Sequence, residues 1–457
     1  MKNDKISIQF LGAAETVTGS KHLLKTPELN ILIDCGLFQG IKSLRLKNRD
    51  KLPFKEKDID ILLITHAHLD HCGYIPLLVK NGFKGKILTT PPSRELIELI
   101  LRDSAKIQEE EARIANENGY SKHIVAEPLY TEKDVEKCLK QFEIRKDNEW
   151  IKLSNNITFR FVRNGHILGS CFIELNCFGK TIVFSGDIGR KTNEILAGPT
   201  VIEEADFIIM ESTYGDRIHP PNSPKNDLEE KILHTVKKGG TLLISSFAVE
   251  RAQELMYIIN KLKFEKRIPN LPVYLDSPMG ANATSIYLKN PSWHKLNPSE
   301  IDFIYKNIVI IKDFPDTLKL LKDTQTKIII AASGMITGGR ILTYLTEYGR
   351  NPKNTILLAG YQGVGTRGRA LKEGQKELKL YGKYYQIDAE VQYIDSMSGH
   401  ADQSEMISWL RNFKEKPAKL FLVHGEPQAQ NIFRVKIKDE LGIEAIIPQI
   451  NDEFELK

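Results

Sequence analysis

The sequence has little that marks a membrane, secreted or disulfide-bonded protein. No apolar stretch approaches the roughly 20 residues that a transmembrane helix needs. The five cysteines are odd in number and show no CxxC spacing, which is typical of reduced thiols in a cytosolic protein. The opening residues, Met1 to Lys5, lack the pattern of a signal peptide. We therefore expect a cytoplasmic protein that does not associate with a membrane.

Long repeats, low-complexity tails and a strong excess of one charge are also missing. At 457 residues the chain is longer than one ordinary domain, so two domains are the natural expectation. A content of 41% hydrophobic and 27% charged residues describes a globular protein. The formal net charge of +5 is compatible with a polyanionic substrate but does not demand one, because many enzymes are equally basic.

Four potential metal ligands lie within the six residues from His66 to His71. This run, HAHLDH, directly follows the apolar segment Ile59 to Ile64, which has the pattern of a buried strand. The ligands therefore lie at the C-terminal end of a strand, where the loops of α/β sheets carry function. His66 and His68 point the same way in an extended segment, whereas Asp70 and the adjacent histidine can diverge toward a second centre. A plain polar turn does not require three imidazoles, so the run predicts a metal site.

The pattern H-x-H-x-D-H resembles the signature of metallo-β-lactamase-fold hydrolases. That resemblance implies three further residues, each of which follows a strand-like segment in this sequence. His166 would supply the third histidine of the family and Asp187 the carboxylate that bridges two metals. Asp34 would orient the HxHxDH loop through hydrogen bonds.

The resemblance implies a centre of two metal ions. One ion would be held by His66, His68 and His166, the other by Asp70 and His71, with Asp187 between them. Imidazole and carboxylate ligands favour zinc, with manganese as the alternative. Two ions about 3.5–4 Å apart lower the pKa of a bridging water and supply hydroxide at neutral pH. A serine or cysteine nucleophile is then not needed.

Beyond this part of the chain, strand-like segments alternate with small-residue turns and helices. Three such segments between residues 241 and 359 each lead through a turn into a helix, which is typical of a parallel sheet. We therefore expect the first part of a metallo-β-lactamase domain over 1–208 and an inserted domain over 209–385. The returning part of the first domain would cover 386–457, with the active site in the cleft between the two domains.

Three later residues make the resemblance more specific. Glu211 ends a strand-like segment, and His400 and His424 each stand at a strand-to-helix turn. With the earlier motifs, their order resembles β-CASP proteins, the group of RNase J, the endonuclease subunit of the mRNA 3′-end cleavage complex and Artemis-type DNA nucleases. The resemblance implies a four-layer αβ/βα metallo-β-lactamase fold with an inserted α/β (β-CASP) domain. Histidine at position 424 resembles the RNA-acting members, because the DNA-acting branch typically carries valine there.

The resemblance also implies roles for these residues. His424 would complete the second metal site. His400 would bind no metal and would instead contact the phosphate or protonate the departing 3′ oxygen, oriented by Glu211. Asp70 is expected to be a metal ligand, with general-base catalysis as the alternative role.

Six residues are expected to contact the substrate: Ser398, Gly399, Ala401, Arg251, Ser333 and Arg340. The first three precede a helix, where backbone N–H groups bind phosphate. Ser333 and Arg340 lie in a glycine-rich turn that is either a second phosphate contact or only a turn. Arg251 resembles a residue that lines the cleft and is alternatively a salt-bridge partner within its helix.

We therefore expect zinc-dependent hydrolysis of single-stranded RNA that leaves 5′-phosphate and 3′-hydroxyl ends, because water is the nucleophile. An endonuclease is favoured since only 33 residues follow His424, and a 5′-3′ exoribonuclease is the alternative. A small-molecule metallohydrolase would share the zinc ligands without needing Glu211, His400 or the inserted domain. A non-catalytic RNA-binding scaffold would be expected to lack some of the ligands. A homodimer is compatible with the sequence.

Overall fold

The chain forms two compact units in this computed structural model, which describes residues 5–118 and 125–457. The first unit comprises Met1–Lys191, Gly198–Ile218 and His400–Lys457, and the second comprises Thr192–Ala197 and His219–Gly399. The boundaries lie at 218/219 and 399/400, further along the chain than the expected 208/209 and 385/386. Sheet pairing explains the difference, because the strand that ends at Glu211 pairs within the first unit and the strand that ends at Ile394 pairs within the second.

The strands are β1 Ser7–Phe10, β2 His22–Lys25, β3 Asn30–Ile33, β4 Ile61–Leu63, β5 Lys86–Thr89, β6 Phe142–Ile144, β7 Ile151–Lys152, β8 Ile157–Arg163, β9 Cys171–Cys177, β10 Lys180–Phe184, β11 Phe207–Glu211, β12 Leu242–Ser245, β13 Val273–Asp276, β14 Ile308–Ile310, β15 Ile328–Ala331, β16 Thr355–Ala359, β17 Glu377–Leu380, β18 Lys383–Gln386, β19 Glu390–Ile394, β20 Lys419–Val423, β21 Ala445–Ile446 and β22 Glu453–Glu455.

The α-helices are α1 Lys42–Leu46, α2 Leu69–Cys72, α3 Ile75–Lys80, α4 Pro91–Glu117, α5 Glu132–Leu139, α6 Pro224–Lys237, α7 Arg251–Phe264, α8 Pro278–Lys289, α9 Pro298–Tyr305, α10 Phe314–Lys322, α11 Ile341–Tyr348, α12 Arg367–Lys372, α13 Gln403–Leu410 and α14 Pro427–Leu441. Within residues 5–118 and 125–457, every helix is too short or too polar to cross a bilayer.

Two seven-stranded sheets build the first unit. Their strand orders are β22-β1-β2-β3-β4-β5-β6 and β21-β20-β11-β10-β9-β8-β7. The sheets pack against each other through aromatic side chains, since the ring centroid of Phe10 on β1 lies 5.1 Å from that of Phe421 on β20. Helices α13 and α14 cover the second sheet, where Trp409 stacks on Phe172 at 4.9 Å. The expected αβ/βα metallo-β-lactamase fold is therefore confirmed.

Each sheet of the first unit is antiparallel at one side and parallel at the other. The parallel strands are β3 to β6 in the first sheet and β10, β11, β20 and β21 in the second. Parallel strands align their carboxyl ends at one edge of the sheet, so the residues that follow β3, β4, β10, β11 and β20 can converge. Strands β3, β4, β11 and β20 are short, mostly apolar and almost entirely buried, as burial on both faces of a parallel sheet requires.

The second unit contains a six-stranded sheet in the order β14-β13-β15-β12-β16-β19 and a separate hairpin of β17 and β18. Every pairing in the six-stranded sheet is parallel, as the alternation of strands and helices in the sequence indicated. Its central strand β12 is completely buried. All five cysteines of the chain are buried and free, which agrees with the expectation of reduced thiols.

Candidate metal centre

The predicted ligand run begins where β4 ends, and its backbone is held close to the residues that follow β3. Asp70 and His71 lie in the short helix α2. The carbonyl of His71 accepts the N–H of Cys35 at 2.7 Å. Glycine is required at position 36, because a Cβ on Gly36 would lie 1.5 Å from the carbonyl oxygen of Asp70. This close approach fixes the ligand run against the end of β3.

Four of the predicted ligands converge on one point: His66, His68, His166 and Asp187. Nδ1 of His68 lies 3.1 Å from Nε2 of His66 and 3.1 Å from Nε2 of His166. Oδ2 of Asp187 lies 3.3 Å from Nε2 of His66 and 3.4 Å from Nε2 of His166. Tetrahedral zinc ligands at about 2.0 Å from the ion stand about 3.3 Å from one another. The spacing of this first ligand group therefore fits a zinc ion.

Burial keeps the imidazoles of the first ligand group in the form that binds a metal. Desolvation lowers the pKa of His68 to about 3 and also lowers the pKa of His66 and His166, so all three are neutral at pH 7. Burial on its own would raise the pKa of Asp187, but neighbouring histidines, His424 and His71 foremost, hold that pKa well below its usual range. Three neutral imidazoles and an ionised carboxylate suit a divalent cation.

A second ligand group consists of Asp70, His71 and His424. Nε2 of His424 lies 3.2 Å from Oδ2 of Asp70, and Nε2 of His71 lies 3.9 Å from the same oxygen. Nδ1 of His71 donates to Oδ2 of Asp34 at 2.7 Å, which leaves Nε2 facing the group. Burial would lower the pKa of His71, but Asp187 and Asp34 raise it, so metal binding at Nε2 displaces a proton. Asp34 thus lies where the orienting carboxylate was predicted.

Asp187 faces both groups, one with each carboxylate oxygen. Oδ2 faces the first group, while Oδ1 lies 3.3 Å from Nε2 of His71 and 3.6 Å from Nδ1 of His424. Both Oδ1 of Asp187 and Nε2 of His71 are buried, and neither has a hydrogen-bond partner among the described residues. Buried polar atoms without partners are costly, and a cation in each group would satisfy both atoms. The residues present therefore fit two metal ions with Asp187 between them.

His400 lies beside the first ligand group without belonging to it. Its Nδ1 lies 3.0 Å from Oε2 of the fully buried Glu211 and 4.0 Å from Oδ2 of Asp187. The ring centroids of His400 and His166 are 4.5 Å apart. Burial on its own would lower the pKa of His400, but Glu211 and Asp187 raise it to about 9. A protonated imidazole in this position is suited to donate a proton.

The amides near His400 are less open to a phosphate than the sequence suggested. The N–H of Ala401 donates to the carbonyl of Ile188 at 2.7 Å, and the N–H of Ser398 donates to the carbonyl of Asp395 at 3.3 Å. Two of the three amides predicted to bind phosphate, at Ser398, Gly399 and Ala401, therefore already have partners within the chain. Phosphate binding by this segment stays a prediction.

The three other predicted substrate contacts belong to the second unit and have structural partners there. Arg340 forms an ion pair with the buried carboxylate of Asp276, and Arg251 forms one with Glu254 on its own helix. The hydroxyl of Ser333 accepts two N–H groups from later residues of its own turn. These contacts account for all three side chains as parts of the fold, and contact with substrate stays a prediction.

Two threonine hydroxyls belong to the site although sequence reasoning missed them. Thr65 donates to Oδ2 of Asp34 at 2.8 Å and lies 3.0 Å from Nδ1 of His66. Thr213 donates to Oε2 of Glu211 at 2.5 Å. The signal available in the sequence was position alone, because Thr65 directly precedes the ligand run and Thr213 follows Glu211 by two residues.

Profiles of three protein families match the sequence. The metallo-beta-lactamase superfamily matches residues 19–237, the Beta-Casp domain 252–371, and the Zn-dependent metallo-hydrolase RNA specificity domain 384–448. Together with the paired sheets and the histidine-rich centre, these matches define a metal-dependent hydrolase of the metallo-β-lactamase fold with an inserted β-CASP domain.

Several curated proteins are similar over most of their length. Ribonuclease TTHA0252 of Thermus thermophilus is 32% identical over 427 residues, covering 91% of this chain and 92% of that protein. An RNase J-like protein of Methanocaldococcus jannaschii is 31% identical, covering 97% of this chain and 98% of that protein. The transcription termination factor FttA of the same organism is 30% identical, covering 99% of this chain and 72% of that protein. The chain therefore belongs to the β-CASP ribonuclease family of the metallo-β-lactamase superfamily.

Among solved structures, a protein of unknown function from Enterococcus faecalis V583 matches with a TM-score of 0.54. The match covers 99% of this chain and 100% of that chain at 13% sequence identity. At this identity the likeness supports the fold alone.

Proposed function

We propose that the chain is a zinc-dependent endoribonuclease that cuts single-stranded RNA and leaves 5′-phosphate and 3′-hydroxyl ends. The observation that carries the proposal is the hydrogen-bonded pair of His400 and Glu211, because His400 belongs to no group of possible metal ligands among the described residues. The Glu211 carboxylate lies within 4.8 Å of ligand atoms of Asp187 and His424 and also holds His400. A ribose 3′ oxygen is a poor leaving group unless it is protonated as it departs. A thioester releases a thiolate, which is an easier leaving group and does not call for such a pair.

The RNA specificity domain matched at 384–448 and the ribonuclease among the relatives support RNA as the substrate. His424, which resembles the RNA-acting branch of the family, supports the same choice. The engaged amides of Ser398 and Ala401 offer little for a terminal 5′-phosphate, which supports internal cleavage over a 5′-3′ exonuclease. The homodimer stays a prediction.

The ligands divide into two sets, His66, His68 and His166 for one zinc ion and Asp70, His71 and His424 for the other, with Asp187 shared between them. When bound, two zinc ions lower the pKa of water and neutralise charge on the phosphate. Asp34 holds His71 through Nδ1, which leaves Nε2 as the atom that would bind an ion in the second ligand group.

Glu211 holds His400 in the same way and also stabilises its charge. His400 then carries a proton on Nε2 that it can give to the departing 3′ oxygen. Because water and not the ribose 2′-hydroxyl attacks the phosphate, the phosphate stays on the 5′ end of the downstream product.

The direct test is cleavage of one single-stranded RNA, labelled at its 5′ end or internally, by zinc-loaded protein. Early products of intermediate length are expected, whereas release of mononucleotides from the 5′ end would support the exonuclease. A DNA of the same sequence should be cut much more slowly. Equal rates on RNA and DNA, or turnover of a lactone without cleavage of RNA, would contradict the proposal.

Three histidine variants separate catalysis from metal binding. His400→Ala should keep its zinc and lose rate by roughly 10²–10⁴-fold, the usual scale for a lost general acid. His424→Ala should lose the second zinc ion. His234→Ala is the matched control, because this half-exposed histidine pairs with Glu390 in the second unit. Loss of zinc from His400→Ala, or an unchanged rate, would show that the division of roles is wrong.

A further inference from the structure

We propose that Thr213 is a positioning residue. Its single hydroxyl group links His424 of the second ligand group to the pair of His400 and Glu211. Thr213 is buried, with 4% of its surface exposed. Its Oγ1 lies 2.5 Å from Oε2 of Glu211 and 3.0 Å from Nδ1 of His424. The hydroxyl therefore touches both the carboxylate that holds His400 and a histidine of the second ligand group.

The direction of each hydrogen bond follows from the number of protons available. Oε2 of Glu211, at 2.5 Å, and the carbonyl oxygen of His424, at 3.1 Å, can both accept from Thr213, and the single proton of the hydroxyl goes to the nearer Oε2 of Glu211. The contact to His424 is then favourable only if Nδ1 of that ring carries a proton and donates to Oγ1. The neutral ring with a proton on Nδ1 has its lone pair on Nε2. Nε2 is the atom that faces Asp70 in the second ligand group.

Glu211 collects the other contacts of the same network. Its Oε2 accepts from Nδ1 of His400 as well as from Thr213, and its Oε1 accepts the N–H of Ile188. A chain of hydrogen bonds thus runs from His400 through Glu211 and Thr213 to His424. Replacing the hydroxyl by a methyl group would remove a donor from Glu211 and the nearest acceptor of Nδ1 of His424, whose next neighbour, Oδ1 of Asp187, lies 3.6 Å away.

Strand pairing explains why a threonine at this position reaches His424. Strands β11 and β20 are parallel neighbours, with Glu211 opposite Val423. Beyond their ends the chains stay in register, because the hydroxyl of Ser212 donates to the carbonyl of Val423 at 2.7 Å. Gly425 permits this approach, since a Cβ there would lie 2.4 Å from the Ser212 hydroxyl.

The first ligand group offers an internal comparison. Thr65 donates to Asp34 and lies 3.0 Å from Nδ1 of His66, so one threonine orients one ligand histidine in each group. The two differ in their carboxylate, because Asp34 holds His71 whereas Glu211 holds His400. Only Thr213 should therefore couple zinc binding to proton donation.

The test begins with zinc affinity, measured by competition with a chromophoric chelator and without reference to activity. Thr213→Val should weaken binding of one of two zinc ions by about 10–100-fold, as expected for a lost partner of a ligand histidine. Thr213→Ser, which keeps the hydroxyl, should restore it. Thr235→Val is the matched control, because this buried threonine also hydrogen-bonds through its hydroxyl but lies in the second unit. Binding in Thr213→Val as tight as in the control would overturn the proposal.

Double variants, assayed for RNA cleavage at saturating zinc, test the coupling between zinc binding and proton donation. This part of the test rests on the proposed ribonuclease activity. Thr213→Val combined with His400→Ala should be no slower than His400→Ala alone, because both act through the same proton donor. Thr65→Val combined with His400→Ala should show the product of the two separate losses. If the double variant of Thr213 and His400 loses rate by the product of the two single losses, the proposal is overturned. If no RNA is cleaved at all, the proposed function fails while the zinc affinities still decide the role of Thr213.

Discussion

The two units both bury charged side chains, but they treat them differently. In the first unit, Oδ1 of Asp187 and Nε2 of His71 lie 3.3 Å apart and have no hydrogen-bond partner among the described residues. In the second, the buried carboxylate of Asp276 accepts from the hydroxyls of Thr317 and Tyr344 and pairs with Arg340. The buried polar atoms of Asp276 have hydrogen-bond partners within the chain, whereas Oδ1 of Asp187 and Nε2 of His71 have none among the described residues.

The difference separates function from architecture. A buried charge with a full set of partners contributes to the fold, and removing one partner leaves the rest uncompensated. A buried cluster with unsatisfied atoms that face one point costs stability unless a ligand completes it. On this argument the centre around Asp187 is built for cations, whereas Asp276 and Arg340 are built for the sheet of the second unit.

The largest effect should follow from Asp187→Asn, which removes the charge shared by both ligand groups. Zinc content should fall and the rate of RNA cleavage should drop by roughly 10³-fold or more, because bound metals supply several kcal/mol of transition-state stabilisation. With zinc present, the variant should also unfold at a lower temperature than the parent, since a ligand that binds the folded state stabilises it. Elemental analysis, cleavage assays and thermal unfolding measure the three effects.

Chelation supplies the internal control for that experiment. Once both proteins are stripped of metal, the difference in unfolding temperature between Asp187→Asn and the parent should shrink. Asp439→Asn, on the exposed face of α14, should match the parent in every assay. A difference in unfolding temperature that is unchanged by chelator would mean that Asp187 supports the fold and not the ions.

Asp276→Asn should have the opposite effects, lowering the stability of the fold without changing the zinc content. Removing this charge leaves Arg340 without its ion-pair partner, so the free energy of unfolding should fall by about 3–5 kcal/mol. Zinc content should stay at the parent level. Denaturant unfolding and elemental analysis are the measurements, with Asp316→Asn as the control because its ion pair with Lys319 is exposed and contributes little to stability. Loss of zinc from Asp276→Asn would break the distinction between the two units.

Much of the metal centre was predictable because its residues follow apolar strands. Asp34, His66, Asp187 and His424 follow β3, β4, β10 and β20, and Glu211 is the last residue of β11. Short apolar runs are visible in a sequence, and parallel strands bring their carboxyl ends together. The parallel sheet of the second unit was predictable for the same reason, since strands and helices alternate along it.

The remaining contacts depend on partners that are distant in sequence. Thr213 acts on His424, which lies 211 positions later and is brought near by the pairing of β11 with β20. Arg340 stands in a glycine-rich turn that looks suited to phosphate, yet its carboxylate partner Asp276 lies 64 positions earlier. Local pattern therefore predicts where ligands fall, whereas the pairing of single hydroxyls and guanidinium groups follows only from the packed structure.

The smallest effect concerns Glu250, a buried acid of the second unit that hydrogen-bonds to Tyr287 and Asn193. Burial raises its pKa to about 8, although the neighbouring Arg251 opposes the shift. A carboxyl with a raised pKa gives its full stabilisation below its unfolded pKa of about 4.3 and loses it as pH rises toward 8. Glu250→Gln cannot ionise, so its unfolding temperature should improve relative to the parent between pH 5 and pH 8. Each kcal/mol corresponds to about 2–4 °C for a unit of this size.

Glu347→Gln, at an exposed position on α11, should show no such change. A gap between Glu250→Gln and the parent that is constant from pH 5 to pH 8 would show that Glu250 is ionised throughout, and that this acid too is satisfied as a charge.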